Sequence, residues 1–114
     1  MEYRSSPRLS PLMRAAAIGQ LSTVSELIEE GADVNELGPR ESTALMFAAG
    51  GGHLEVVKVL VEHGADVFAR EAGGWTARNH ADEDEDGDLI SFLDSVMDRR
   101  RGDRSIVRKL AADI

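Results

Sequence analysis

Residues 10–34, SPLMRAAAIGQLSTVSELIEEGADV, and residues 43–67, TALMFAAGGGHLEVVKVLVEHGADV, are two copies of one pattern at a constant offset, Ser10 matching Thr43. Paired in that register and without a gap, residues 10–42 and 43–75 share 13 identities. Leu12/Leu45, Met13/Met46, Ala15/Ala48, Ala16/Ala49, Leu21/Leu54, Val24/Val57 and Leu27/Leu60 are apolar pairs. Gly19/Gly52 and the run Gly31-Ala32-Asp33-Val34, repeated as Gly64-Ala65-Asp66-Val67, punctuate them. A third copy opens at Thr76 and keeps the frame, since Ala81, Ile90 and Leu93 follow Ala48, Val57 and Leu60 at the same offset. A fixed period of this length marks a stacked repeat.

Each copy reads as two short helices. In the second, Thr43 can cap a helix running through Ala49, and Gly50-Gly51-Gly52 stops it. Leu54, Val57, Leu60 and Val61 then form one apolar stripe on a second helix, which Gly64 ends. Two helices of that length cannot bury such a stripe alone, so the copies must stack. The expected fold is an all-α solenoid of three helix-turn-helix repeats, at 10–42, 43–75 and 76–98, joined by short β-hairpin loops. Residues 1–98 would form the repeat domain and 99–114 a basic tail with a short amphipathic helix.

The pattern resembles the ankyrin repeat family, whose signature is T-P-L-H-x-A. It stands here as Ser10-Pro11-Leu12-Met13-Arg14-Ala15, Thr43-Ala44-Leu45-Met46-Phe47-Ala48 and Thr76-Ala77-Arg78-Asn79-His80-Ala81. The resemblance implies a non-catalytic adaptor that binds another protein on a concave face of hairpin tips and first helices; with no apolar stretch after Met1, a cytoplasmic location is expected. Transferred by position, that face comprises Pro39, Arg40 and Ser42 on the first tip and Ala72, Gly73 and Trp75 on the second. From the first helices it takes Ala17, Ile18, Gly50, Gly51, Glu83 and Asp84. Trp75, the only tryptophan, is the expected anchor, because Trp and Arg dominate interface hot spots. Its alternative is packing against Phe68 or the neighbouring tip. Bare Gly50 and Gly51 beside acidic Glu83 and Asp84 imply a partner segment with an apolar anchor and basic flanks. Glu41 stands where the family has glycine, as Gly74 does, so the first tip is expected to differ in shape.

Composition narrows the function classes. The chain has 114 residues and no cysteine, so disulfides and thiolate zinc sites are out of reach. No apolar run approaches a membrane span. Residues 1–98 carry 7 Lys and Arg against 19 Asp and Glu, whereas 99–114 carry 6 against 2. An acidic body argues against nucleic acid, which requires a basic face. No phosphate loop, G-x-S-x-G or H-E-x-x-H occurs, and His53 and His63 fall at ordinary turns of the repeat. No cofactor is implied.

The third copy departs from the pattern. Arg78 replaces the signature leucine, and Asp82-Glu83-Asp84-Glu85-Asp86 precedes Gly87. A terminal repeat with a polar face is the expected cap of a solenoid. A second reading is a calcium-responsive loop. Asp82, Asp84, Asp86, Gly87, Asp88 and Leu89 fit the start of an EF-hand, but Leu93 occupies the place of its bidentate glutamate. A third reading is a homo-oligomer held by exposed repeat ends or by a tail helix. That helix would start at Ser105, with Ile106, Leu110 and Ile114 on one stripe.

Overall fold

The computed structural model describes residues 9–83 and 87–112. Six α-helices follow one another among them: α1 Pro11–Ile18, α2 Leu21–Glu29, α3 Ala44–Gly50, α4 Leu54–Glu62, α5 Ala77–Glu83 and α6 Gly87–Ala112, with a 3-10 turn at Pro39–Glu41. The first helix of each repeat begins at its hydroxyl residue. Met13 N–H donates to Ser10 Oγ at 3.1 Å, and Met46 N–H to Thr43 Oγ1 at 3.4 Å. In the third repeat Asn79 completes a reciprocal cap: Thr76 N–H donates to Asn79 Oδ1 at 2.9 Å while Asn79 N–H reaches Thr76 Oγ1. Gly19 at φ 80° and Gly52 at φ 74° turn the chain from first to second helix. That left-handed backbone explains why the two copies share glycine there.

The first helices α1, α3 and α5 pack side by side, and α2, α4 and α6 each back their own partner. Ala16, Ala48, Ala49 and Ala81 are fully buried in the inner row, where small side chains permit close approach. Val24, Val57, Leu60, Leu89 and Leu93 fill the space between the rows, all at 0% exposure. Three polar contacts tie repeat one to repeat two. Asn35 Nδ2 donates to Gly64 O at 3.0 Å, and its Oδ1 accepts from Asp66 N–H at 2.8 Å. His53 Nε2 meets Ala17 O at 3.0 Å, the structural role expected of that histidine.

Cap and tail differ from the sequence reading in detail. Arg78 grips Asp94 of α6 with two hydrogen bonds, Nε–Oδ1 at 2.5 Å and Nη2–Oδ2 at 3.3 Å. An ion pair thus joins α5 to α6 where Leu12 and Leu45 join the earlier pairs by burial. Helix α6 is continuous from Gly87 to Ala112. Ser105 therefore lies inside a helix and starts none, which corrects that expectation. The contacts of Ile106, Leu110 and Ile114 lie outside the described side chains. Asp82 belongs to α5, and Asp88 and Leu89 to α6. Burial of Leu89 and Leu93 sets that helical phase, so Asp88 is not placed as a loop ligand; Asp84 and Asp86 lie outside the described residues.

The tips share two closing bonds but differ in shape, as expected, since the first forms a 3-10 turn over Pro39–Glu41 and the second does not. Gly38 N–H bonds Ser42 O at 2.8 Å and Glu41 N–H bonds Gly38 O at 3.0 Å. Their equivalents one repeat later are Glu71 N–H to Trp75 O at 2.9 Å and Gly74 N–H to Glu71 O at 2.8 Å. Ala72 N–H joins the two tips by donating to Arg40 O at 2.8 Å. These are hairpin bonds too few to make a strand, and no strand occurs among the described residues. Strain differs as well: Arg40 and Glu41 hold φ of 57° and 63° without being glycine, whereas of Gly73 and Gly74 only Gly74 is left-handed, at 89°. A left-handed residue with a Cβ costs ~1–2 kcal/mol, while glycine forfeits ~0.5–1 kcal/mol in unfolded-chain freedom. Glu41→Gly should therefore raise stability in urea unfolding by roughly 0.5–1 kcal/mol. An unchanged or lower midpoint would mean that the Glu41 side chain contributes more than the strain costs.

Candidate functional site

A groove of about 450 Å³ opens between the tips and the first helices. Its floor comes from α1 and α3: Ala17, Met46, Phe47, Gly50 and Gly51. Pro39, Arg40 and Ser42 of the first tip form one wall, and Glu71 of the second tip with His80 of α5 forms the other. Gly50 and His80 lie at the same level of adjacent helices, and glycine leaves open the space that a side chain of α3 would take. A Cβ at Gly50 would come only 3.8 Å from His80 Cβ, an ordinary contact. At Gly51 it would meet Ala17 O at 2.9 Å and the His53 ring at 2.7 Å. Gly50 is thus an opening in the floor, and Gly51 a position where the backbone is too close for anything larger.

Beside the groove, Arg40, Glu71, Gly73, Trp75 and His80 line a smaller cleft of about 270 Å³. Trp75 is 41% exposed and turns edge-on to His80, with ring centroids 5.3 Å apart at 63°. The described ring partner of Trp75 is thus His80. Glu71 organises the second tip. Its Oε1 accepts from Gly73 N–H at 2.6 Å and Trp75 N–H at 3.4 Å, while Oε2 lies 3.7 Å from His80 Nε2. That His80 nitrogen is buried and has no hydrogen-bond partner among the described residues. The Arg40 guanidinium is exposed and has no carboxylate partner among them.

Of the residues transferred from the sequence, Pro39, Arg40, Ser42, Gly50, Gly51 and Ala17 meet in the groove, and Trp75 with Gly73 in the adjoining cleft. Ala72 is exposed but lines neither; its backbone pairs the tips instead. Ile18 points away, into a separate hollow shared with Pro11, Arg14 and Leu27. The Glu83 side chain and Asp84 lie outside the described residues, as do the calcium candidates Asp84 and Asp86. Sequence reasoning missed Glu71, Met46 and Phe47, and assigned His80 no place in the site. The repeat register offered one signal: Glu71 is the counterpart of Gly38, a charged side chain where the first tip has none.

No group of three or more His, Asp or Glu is arranged to hold a metal ion among the described residues. No described helix is long and apolar enough to cross a membrane. A search of curated proteins returned no match. The family model for ankyrin repeats (3 copies) matches residues 10–93. Repeats of this kind generally mediate protein–protein interaction and are typically non-catalytic. With the match spanning most of the chain, and three helix pairs stacked at a constant period, the chain belongs to the ankyrin repeat family.

Proposed function

We propose that the chain is a cytoplasmic adaptor that holds a segment of a partner protein in the groove between its tips and first helices. The observation that carries this reading is the gap over Gly50, bounded by Phe47, Met46 and His80. An apolar side chain of the partner fits there, with its backbone running along the tips. Trp75 offers the next surface, a partly exposed ring already fixed by His80 at 5.3 Å. Tryptophan is enriched at interface hot spots, which lie where the partner shields them from water. Basic flanks on the partner suit the acidic start of α6 and the Glu71 wall. The opposite wall carries Arg40, so the segment has a preferred direction, with its basic side toward α5.

The test begins with peptides selected by display against the intact chain. The strongest binder is then titrated against wild type, Trp75→Ala and Arg40→Ala. Trp75→Ala should lose most affinity and Arg40→Ala less, and binding should weaken with salt if the peptide is basic. Selection of peptides indifferent to both substitutions would place the interaction elsewhere on the molecule.

A further inference from the structure

A second cleft lies on the outer row of helices. Between α4 and α6 it encloses about 480 Å³, with Val61, Phe92 and Val96 as its apolar lining. Its rim holds Lys58, Arg99 and Arg100, together with Glu62. The chain bears a formal charge of −8, yet three cations converge here. Like charges held together around an apolar surface repel, and a surplus of Asp and Glu was available to neutralise them. Neither arginine has a carboxylate partner among the described residues, and Lys58 has only exposed Glu55 at 3.8 Å.

Both guanidinium groups are instead tethered by backbone. Arg100 Nη1 donates to Ala65 O at 3.1 Å, and Arg99 Nε to Ser95 O at 3.3 Å. Each tether uses one nitrogen of a planar fork that can still grip a carboxylate with the others. Lys58 Nζ lies 5.9 Å from the centre of the Phe92 ring, which keeps a cation beside the apolar lining. The result is a preorganised basic rim over a phenylalanine.

We propose that this cleft docks a short acidic segment of a second partner protein. Its apolar side chain seats on Phe92 and Val96, and its carboxylates pair with Lys58, Arg99 and Arg100. Charge complementarity at the rim selects this occupant. The acidic body repels such a segment at long range, so affinity must come from contact within the cleft. The proposal stands apart from the groove over Gly50 and does not depend on it.

The test uses two fluorescein-labelled, capped peptides: Glu-Glu-Leu-Phe-Glu-Glu, and the same peptide with serine in place of leucine and phenylalanine. Anisotropy titration should show binding of the first and at least about tenfold weaker binding of the second. Substituting half-buried Lys58 and exposed Arg99 together, as Lys58→Gln and Arg99→Gln, should weaken the first peptide by about tenfold or more, a ratio that is a clear loss of binding energy. Circular dichroism melts establish that this variant is folded, and Arg99→Gln alone serves if the pair is not. Gly50→Gln, which blocks the groove, should leave this binding unchanged. Equal binding of both peptides would reduce the site to general charge attraction and overturn the proposal. So would indifference to the Gln substitutions, or binding to phosphatidylglycerol vesicles with none to either peptide.

Discussion

Leu60→Ala should destabilise the stack by ~2–5 kcal/mol, the usual cost of truncating a buried leucine and leaving a cavity. Leu60 is 0% exposed and faces the interior from α4, the central outer helix, so neighbours on both sides lose contact with it. A chain this short has little reserve, since domains commonly hold only ~0.05–0.15 kcal/mol of stability per residue. Nearest-neighbour coupling makes the central position worse than a terminal one, because damage there severs the solenoid. Urea unfolding followed by circular dichroism measures the loss. A change below about half a kcal/mol would remove Leu60 from the core and leave the stack unexplained.

Trp75→Ala should do the reverse, sparing the fold and damaging binding. The ring is 41% exposed, and its described ring contact is the edge-on approach to His80. Such aromatic pairs are worth ~0.5–1.5 kcal/mol, with the lower end expected at an open tip. The backbone bond from Glu71 N–H to Trp75 O does not involve the side chain, so the tip should keep its shape. Partner affinity should fall by ~2 kcal/mol or more, the threshold at which an interface residue counts as a hot spot. Thermal melts and peptide titration on the same samples separate the two effects. A variant that unfolds readily while its folded fraction binds normally would make Trp75 a packing residue and remove the anchor.

Most of the fold was legible because repetition multiplies weak signals. One capping threonine or one glycine says little, but Thr43 and Thr76, or Gly19 and Gly52, at the same offset reinforce each other. The apolar pairs Val24/Val57 and Leu27/Leu60 gave the outer helices by the same logic. Two features were hidden because they depend on residues that break the repeat, and a third because it runs past the last repeat. Arg78 reads as a lost leucine until Asp94, on the next helix, is seen beside it. Glu41 marks a reshaped tip, but sequence cannot show that it and Arg40 both hold a left-handed backbone without being glycine. The length of α6 was missed because charge, which changes sharply at 99, is no guide to where a helix ends. In the groove, Gly50, Gly51 and the first-tip residues Pro39, Arg40 and Ser42 lie where their repeat positions put them, while Ala72 of the second tip lines neither hollow. Glu71 and His80 did not follow from position, since their meeting at 3.7 Å depends on how a tip folds over the next helix.

The central claim is that the space over Gly50 receives the partner, and Gly50→Gln tests it most directly. Gly50 is helical at the end of α3, and a Cβ there meets nothing closer than 3.8 Å. Replacing glycine within a helix typically adds ~0.5–1 kcal/mol of stability. The new side chain would occupy the groove that His80 and Phe47 border. The account expects a protein that melts at or above the wild-type temperature and no longer binds the display-selected peptide. A Gly50→Gln protein that binds this peptide with wild-type affinity would contradict it.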